Sequence, residues 1–201
     1  GILAKLLERI IRILLIKECK NISNLKIDII SSSTQIIKGE IQKITIIADD
    51  ISYKDLLFDE FYLEADNLKI NFKLLNKELS FKNNPIIKFN ISLSQNSLRT
   101  VIFSDNWNWI ANLINEEILN KEKLKDIKIS NGKLLMNASK ENINNNQGEE
   151  IDIKIKQGKI YLENKNYNKI IQIPIEEKIY IENIYIENNL INIYANSPIS
   201  F

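Results

Sequence analysis

The chain has 201 residues, of which 27 are Lys or Arg and 26 are Asp or Glu, so its formal net charge is +1. This balance excludes the strongly basic field that is typical of nucleic-acid-binding domains, and we expect no nucleic-acid partner. Hydrophobic residues make up 44% of the chain, which is enough to form a large core. The chain has no His and one Cys, Cys19, so the common catalytic triads and zinc sites are excluded.

The segment Ile2–Cys19 predicts a long amphipathic helix. Its Ile and Leu residues merge into one broad apolar arc on a helical projection. Four charged residues lie on the opposite side: Lys5, Glu8, Arg9 and Arg12. These charges argue against a transmembrane helix and against a signal peptide. Such an arc is typical of a buried helix, but it also fits a helix that lines an apolar cavity or lies on a membrane.

Most of the remaining chain predicts β-strands, interrupted by a second helical segment near the middle. The alternation in Ile87–Ser94 is typical of a half-buried strand, after which Ser94 is expected to cap a helix. Asp105 or Asn106 is expected to cap the next helix. A change of alternation phase at 66–67 predicts a bulge or bend in the strand that contains it.

The turns of the β regions are marked by short polar segments. Asn131-Gly132 and Asn188-Asn189 predict hairpins, and 31–34 predicts a further turn. Connections this short favour antiparallel pairing. The low-complexity polar segment 140–150 predicts a mobile loop. Together these patterns predict an α+β fold in one domain over 1–201, with a sheet wrapped around the N-terminal helix.

Candidate catalytic and cofactor-binding residues are scarce. The adjacent carboxylates fit solvated loops better than a metal site, since neighbouring strand residues point to opposite faces. We therefore expect neither catalysis nor a cofactor. Trp107 and Trp109, at the start of a predicted helix, fit either core packing or an aromatic edge that contacts a bilayer interface.

Several segments carry a resemblance to a known family. They are the I-x-K-G-x-I element at Ile36–Ile41, the segment Ile51–Tyr53, LEADNLKIN at Leu63–Asn71, SLSQNSLRTVI at Ser92–Ile102 and IYIENIYIENNLINIYA at Ile179–Ala195. With these motifs the chain resembles the bacterial domain-of-unknown-function family typified by the phospholipid-binding LmeA protein, in its cyanobacterial variety. A Gly is more usual in that family near Asn189.

The resemblance implies a TULIP-like fold, in which a long helix is cradled by a highly curved antiparallel sheet around a lipid pocket. It also implies phospholipid binding without catalytic residues, at a membrane surface or in the cell envelope. Combined with the apolar pattern, it predicts that acyl chains lie between the helix and the inner sheet face. The predicted lining residues are Leu6, Ile10, Leu14, Ile44, Ile46, Leu63, Ile70, Phe89 and Ile91.

Two alternatives remain open at this point. The protein is either a lipid-binding or lipid-transfer protein, or an interaction scaffold whose helix fills the sheet and whose exposed sheet edge pairs with partner proteins. An enzyme acting on envelope glycolipids is a weaker third alternative. The sequence leaves open the lipid, the oligomeric state, and whether the protein is periplasmic or faces the cytoplasm.

Overall fold

The computed structural model describes residues 1–73, 78–138 and 148–199. The helices in these ranges are α1 (Ile2–Glu18), α2 (Ser33–Ile37), α3 (Gln95–Ile102) and α4 (Asn108–Glu117). The first group of strands is β1 (Asn21–Ile30), β2 (Glu40–Tyr53), β3 (Leu56–Lys73), β4 (Glu78–Phe81) and β5 (Ile86–Ser94). The second group is β6 (Asp126–Ser130), β7 (Lys133–Asn137), β8 (Glu149–Lys156), β9 (Lys159–Asn164), β10 (Lys169–Gln172), β11 (Tyr180–Glu187) and β12 (Leu190–Pro198).

The strands form two sheets rather than the single sheet that the sequence predicted. The first sheet has seven strands in the order β1-β2-β3-β5-β12-β11, with β4 pairing with β3 at its side. The second has five strands in the order β10-β9-β8-β7-β6. Every described pairing is antiparallel, as expected from the short connections. The predicted α+β class and its N-terminal helix are thus confirmed.

Helix α1 packs against β1, β2 and β3 at one end of the first sheet. Its buried residues, Leu7 and Ile11, lie among Ile, Leu and Ala side chains of these strands. Arg12 fixes the helix to β1, because its Nη1 donates a hydrogen bond to the Leu25 carbonyl oxygen at 2.9 Å. The Nη2 of Arg12 also contacts Glu8, one turn earlier, at 3.0 Å.

The two mid-chain helices follow directly from β5. As predicted, Ser94 caps α3, since its hydroxyl accepts a hydrogen bond from the Ser97 amide. The expected cap of α4 is wrong. The helix begins after Trp107 without a side-chain cap, and the side-chain Nδ2 of Asn106 donates to Asp55 at 2.8 Å.

The left-handed turn residues explain the hairpins. Asn131 and Gly132 have φ values of +51° and +74°, and they join β6 to β7 as predicted. Asn188 and Asn189, at +53° and +58°, join β11 to β12 in the same way. Asn tolerates this conformation better than most residues, so the absence of the Gly that the resembling family favours does not prevent the turn.

Three other local predictions have different outcomes. The phase change at 66–67 is confirmed, because Ala65 and Leu68 are both buried and Asn67 between them has φ of +52°. The turn at 31–34 is wrong, since α2 begins there with a reciprocal capping box between Ser32 and Gln35. Most of the predicted polar loop over 140–150 lies outside the described residues, namely residues 140–147.

Two apolar clusters lie along the structure. The cluster under α1 includes residues of β1, β2 and β3. The other joins α3, α4 and the second sheet to the far end of the first sheet, and its most deeply buried members include Ile118 and Ile127. The second cluster surrounds the largest cavity described below.

Candidate functional site: an apolar cavity between the two sheets

One continuous face of the first sheet carries both apolar clusters. Residues that pair directly across antiparallel strands have their side chains on the same face. A row of such pairs crosses five strands, through Ile46, Leu63, Phe89, Ala195 and Ile181. This row begins under α1 with Ile46 and ends with Ile181, which lines the cavity described next. The two ends of the face are therefore covered by different elements.

At the far end of this face, the structure contains a half-open apolar cavity of about 720 Å³. This volume lies within the range of about 300–1,000 Å³ that is typical of small-molecule sites. Strands β5, β12 and β11 form its floor, with the side chains of Phe89, Ile91 and Ile193 exposed to it. We refer to it as the inter-sheet cavity.

Helices α3 and α4 and the second sheet form the remaining walls. The helical wall consists of Leu98, Val101, Ile102, Trp109, Ile110 and Ile114. The second sheet contributes Leu134, Met136, Ile153, Ile160 and Leu162. Among the described lining residues, Glu176 is the only one that carries an ionisable side chain. The walls therefore offer apolar contact over almost their whole area.

A single charged contact positions α3 against the second sheet. The guanidinium of Arg99 donates from Nε to the Ile127 carbonyl oxygen at 2.9 Å and from Nη2 to Asp126 at 2.9 Å. One turn earlier, the side-chain oxygen of Gln95 accepts a hydrogen bond from the Ile129 amide at 2.8 Å. These contacts hold the helix at the edge of β6 and thereby fix one wall of the cavity.

The mouth of the inter-sheet cavity has an aromatic rim. Trp109 is 39% exposed although it also lines the cavity. Its neighbour Trp107 is half-buried, and its indole Nε1 donates to the Lys54 carbonyl oxygen at 2.8 Å. The two ring centroids are 6.3 Å apart. Pro174 and the carboxylate of Glu176 complete the rim from the segment that follows β10, and both are exposed.

A second, smaller groove of about 310 Å³ lies at the N-terminal end of α1. Leu6 and Ile10 of α1 form one side, and Ile37 and Ile70 form the other. Unlike the inter-sheet cavity, this groove includes basic residues, with Lys38 and Lys82 at its border.

The nine residues predicted to line one lipid pocket therefore divide between separate places. Leu6, Ile10 and Ile70 border the small groove, and Phe89 and Ile91 line the inter-sheet cavity. The others lie under or on α1: Ile44 and Ile46 are buried in the cluster beneath the helix, and Leu63 and Leu14 are half-buried. The prediction that all nine lie around one pocket is corrected by this division, because α1 is in direct contact with its end of the sheet.

Trp107 and Trp109, predicted as membrane contacts, lie together at the mouth of the inter-sheet cavity. Sequence reasoning missed the second-sheet and α4 residues of the wall, such as Ile110, Ile153 and Leu162. Their alternation or helical spacing was visible, but such a pattern indicates only that a side chain points inward.

Other chemistry is sparse in the part of the chain that the structure describes. No group of three or more Cys, Asp or Glu side chains there is arranged to hold a metal ion. Burial, followed by the nearby charge of Glu18, raises the pKa of the Cys19 thiol above its ordinary value, which disfavours the reactive thiolate. Among the described helices, none has both the length and the apolarity to cross a membrane.

The arrangement can hold an apolar molecule whose polar end reaches the rim. Comparison of the chain with models of protein families, with curated proteins and with solved structures gives no match.

Proposed function

We propose that this protein binds a membrane lipid, with one or more acyl chains inside the inter-sheet cavity. The observation that carries the proposal is a half-open space of about 720 Å³ whose described walls are apolar except for Glu176. Each methylene group moved from water into such a space contributes about 0.8 kcal/mol. A single long chain would therefore supply enough free energy for stable capture.

The rim suggests how the lipid is oriented. A polar head group would lie at the mouth, next to water and to the exposed carboxylate of Glu176. Trp side chains are favoured at membrane interfaces, where their rings contact lipid and their N–H groups find polar partners. Trp109, exposed at this mouth, is suited to contact a membrane surface while a lipid enters or leaves.

The resemblance to LmeA-like proteins supports the same proposal. The proposal includes a TULIP-like arrangement, in which a curved sheet cradles a helix. It also includes action at a membrane surface or in the cell envelope. The lipid would be bound or transferred without chemical change. In contrast to the prediction from sequence, the acyl chains are assigned to the space between the sheets rather than to the contact between α1 and the first sheet.

The interaction scaffold remains the alternative, but it requires a filled interior. The inter-sheet cavity favours lipid binding over that alternative, since an unfilled space of this size weakens a purely structural domain.

The first experiment is native mass spectrometry of the purified protein, combined with lipid extraction, for the unmodified chain and for Ile91→Trp. Ile91 points into the cavity, so an indole in its place would occupy the space that we assign to acyl chains. We expect co-purifying lipid near a 1:1 ratio in the unmodified protein and its loss in Ile91→Trp.

Ile47→Trp is the matched control. Ile47 pairs with Tyr62 on the opposite face of the first sheet and is 40% exposed, so the same substitution there leaves the cavity unchanged. Thermal unfolding of both variants checks that they fold. A lipid-free unmodified protein that stays lipid-free after incubation with vesicles, or equal lipid content in folded Ile91→Trp, would refute the proposal.

A further inference from the structure

The outward face of α1 is unusually apolar for a helix surface in contact with water. Four large aliphatic residues on it, Ile2, Leu6, Ile13 and Ile16, are between 44% and 86% exposed. Their spacing of three, four and seven residues places them along one stripe of the helix. The stripe lies opposite the buried residues Leu7 and Ile11, so the packing of α1 on the sheet does not cover it.

The charges on this stripe are all positive. Lys5, Arg9 and Lys17 are exposed. On the helical projection Arg9 falls within the stripe, and Lys5 and Lys17 fall at its two edges. At about 100° of rotation per residue, Glu8 and Glu18 project about 120° and 160° away from the centre of the stripe. Across residues 2–18, all of which the structure describes, these are the only carboxylates of the helix. Glu8 is, in addition, paired with Arg12.

The small groove at the N-terminal end of α1 has the same combination of exposed aliphatic and basic residues. Ile37, which borders the small groove next to Leu6, is 76% exposed. Lys38 and Lys82 are exposed at the same groove. The outward face of α1 and this groove therefore form one surface, which we call the α1 surface, with aliphatic side chains and basic groups side by side.

A basic, aliphatic surface of this kind is complementary to one class of partner. A second copy of the chain would bring like charges together, which opposes pairing through this face. A helix that presents Ile and Leu together with Lys and Arg is typical of those that lie in the interfacial plane of anionic membranes. We propose that the α1 surface docks on an anionic lipid bilayer, independently of the lipid held in the inter-sheet cavity.

Vesicle co-sedimentation of the full chain tests this proposal. We expect binding to vesicles of equal parts phosphatidylcholine and phosphatidylglycerol at low salt, and much weaker binding to phosphatidylcholine alone. The double variant Lys5→Gln/Arg9→Gln should bind the anionic vesicles at least about tenfold more weakly, because each basic residue near the bilayer adds to the attraction. Ile13→Asn should weaken the binding by removing an inserted side chain.

The control removes the same charge elsewhere. Lys156→Gln/Lys169→Gln neutralises two exposed lysines of the second sheet, so it matches the net charge of the α1 variant. Equal loss of binding in this control, unchanged binding of the α1 variants, or a dimer in sedimentation velocity that Ile13→Asn dissociates would each overturn the proposal. Ile91→Trp should retain vesicle binding while its extracted lipid is lost, so failure of the cavity proposal and failure of this one are distinguishable.

Discussion

The two ends of the first sheet present the same kind of apolar face but are covered in different ways. At one end α1 lies directly on the strands and buries Leu7 and Ile11 among their side chains. At the other end α3, α4 and the second sheet stand off from the floor and leave a space of about 720 Å³. An inward-facing Ile is thus a core residue at one end and a candidate ligand contact at the other. The difference comes from the covering elements and not from the strand.

The largest expected effect is the difference in folding stability lost when a buried side chain is truncated at each end of the first sheet. Leu7→Ala removes a closely packed side chain at the α1 end, and we expect a loss of about 2–5 kcal/mol in the free energy of unfolding. Ile193→Ala, on the cavity floor, should cost only about 1–2 kcal/mol, because its side chain already faces an unfilled space. Urea denaturation of the lipid-free protein measures both. Equal losses would mean that the cavity end is packed as tightly as the α1 end.

Two glycines extend the comparison to the backbone, because one lies at the α1 end of the first sheet and the other in the β6–β7 turn of the second sheet. Gly39 and Gly132 have similar φ values of +76° and +74°. A Cβ on Gly39 would lie 2.3 Å from the Ile70 carbonyl oxygen, whereas a Cβ on Gly132 would meet nothing within 4 Å. Gly132→Ala should cost about 1–2 kcal/mol for the left-handed backbone alone.

Gly39→Ala should cost clearly more, because the β2 and β3 backbones would have to separate beneath the end of α1. Thermal or urea unfolding of the two single variants gives the comparison directly. A Gly39→Ala variant no less stable than Gly132→Ala would show that this approach of the two strands is readily relaxed.

The sequence predicted local features well and the position of the cavity poorly. The α3 cap and the β6–β7 turn were predictable because the residue types themselves favour these structures. Ser94 is of a type that caps helices, and Asn131-Gly132 favours a tight hairpin turn. Ser32 and Gln35, three residues apart, also match a capping box, and this signal outweighs the polar composition that predicts a turn at 31–34.

The position of the inter-sheet cavity has no such local signal. Alternation places Ile44 and Ile91 on the same inward face, as the structure does, but which element covers each of them depends on contacts between distant segments. The division of the chain into two sheets likewise depends on which strands meet, and short hairpins alone do not decide this.

The smallest expected effect lies on the outer side of the cavity floor. The Tyr185 and Tyr194 hydroxyl groups are 3.1 Å apart, and this hydrogen bond, with partial burial, raises the pKa of Tyr185 to about 12. Because the neutral phenol is the stabilised form, the contribution to folding is complete below the ordinary pKa of 10.0 and is lost as the pH rises through about 12.

Tyr194→Phe should therefore return the pKa of Tyr185 toward its ordinary value, as ultraviolet titration of the folded protein would reveal. The lipid content should stay unchanged, since both rings lie on the face opposite the cavity. A loss of lipid in this variant would show that the two faces of the floor strands are coupled.

The position of the two tryptophans has a practical consequence for spectroscopy. The chain has two Trp residues, and both line the inter-sheet cavity at its mouth. The indole emission of the entire protein therefore originates next to the space where we place the ligand. A lipid that enters would replace water around these rings and shift their emission to shorter wavelength, so the unmodified, unlabelled protein is its own reporter of occupancy.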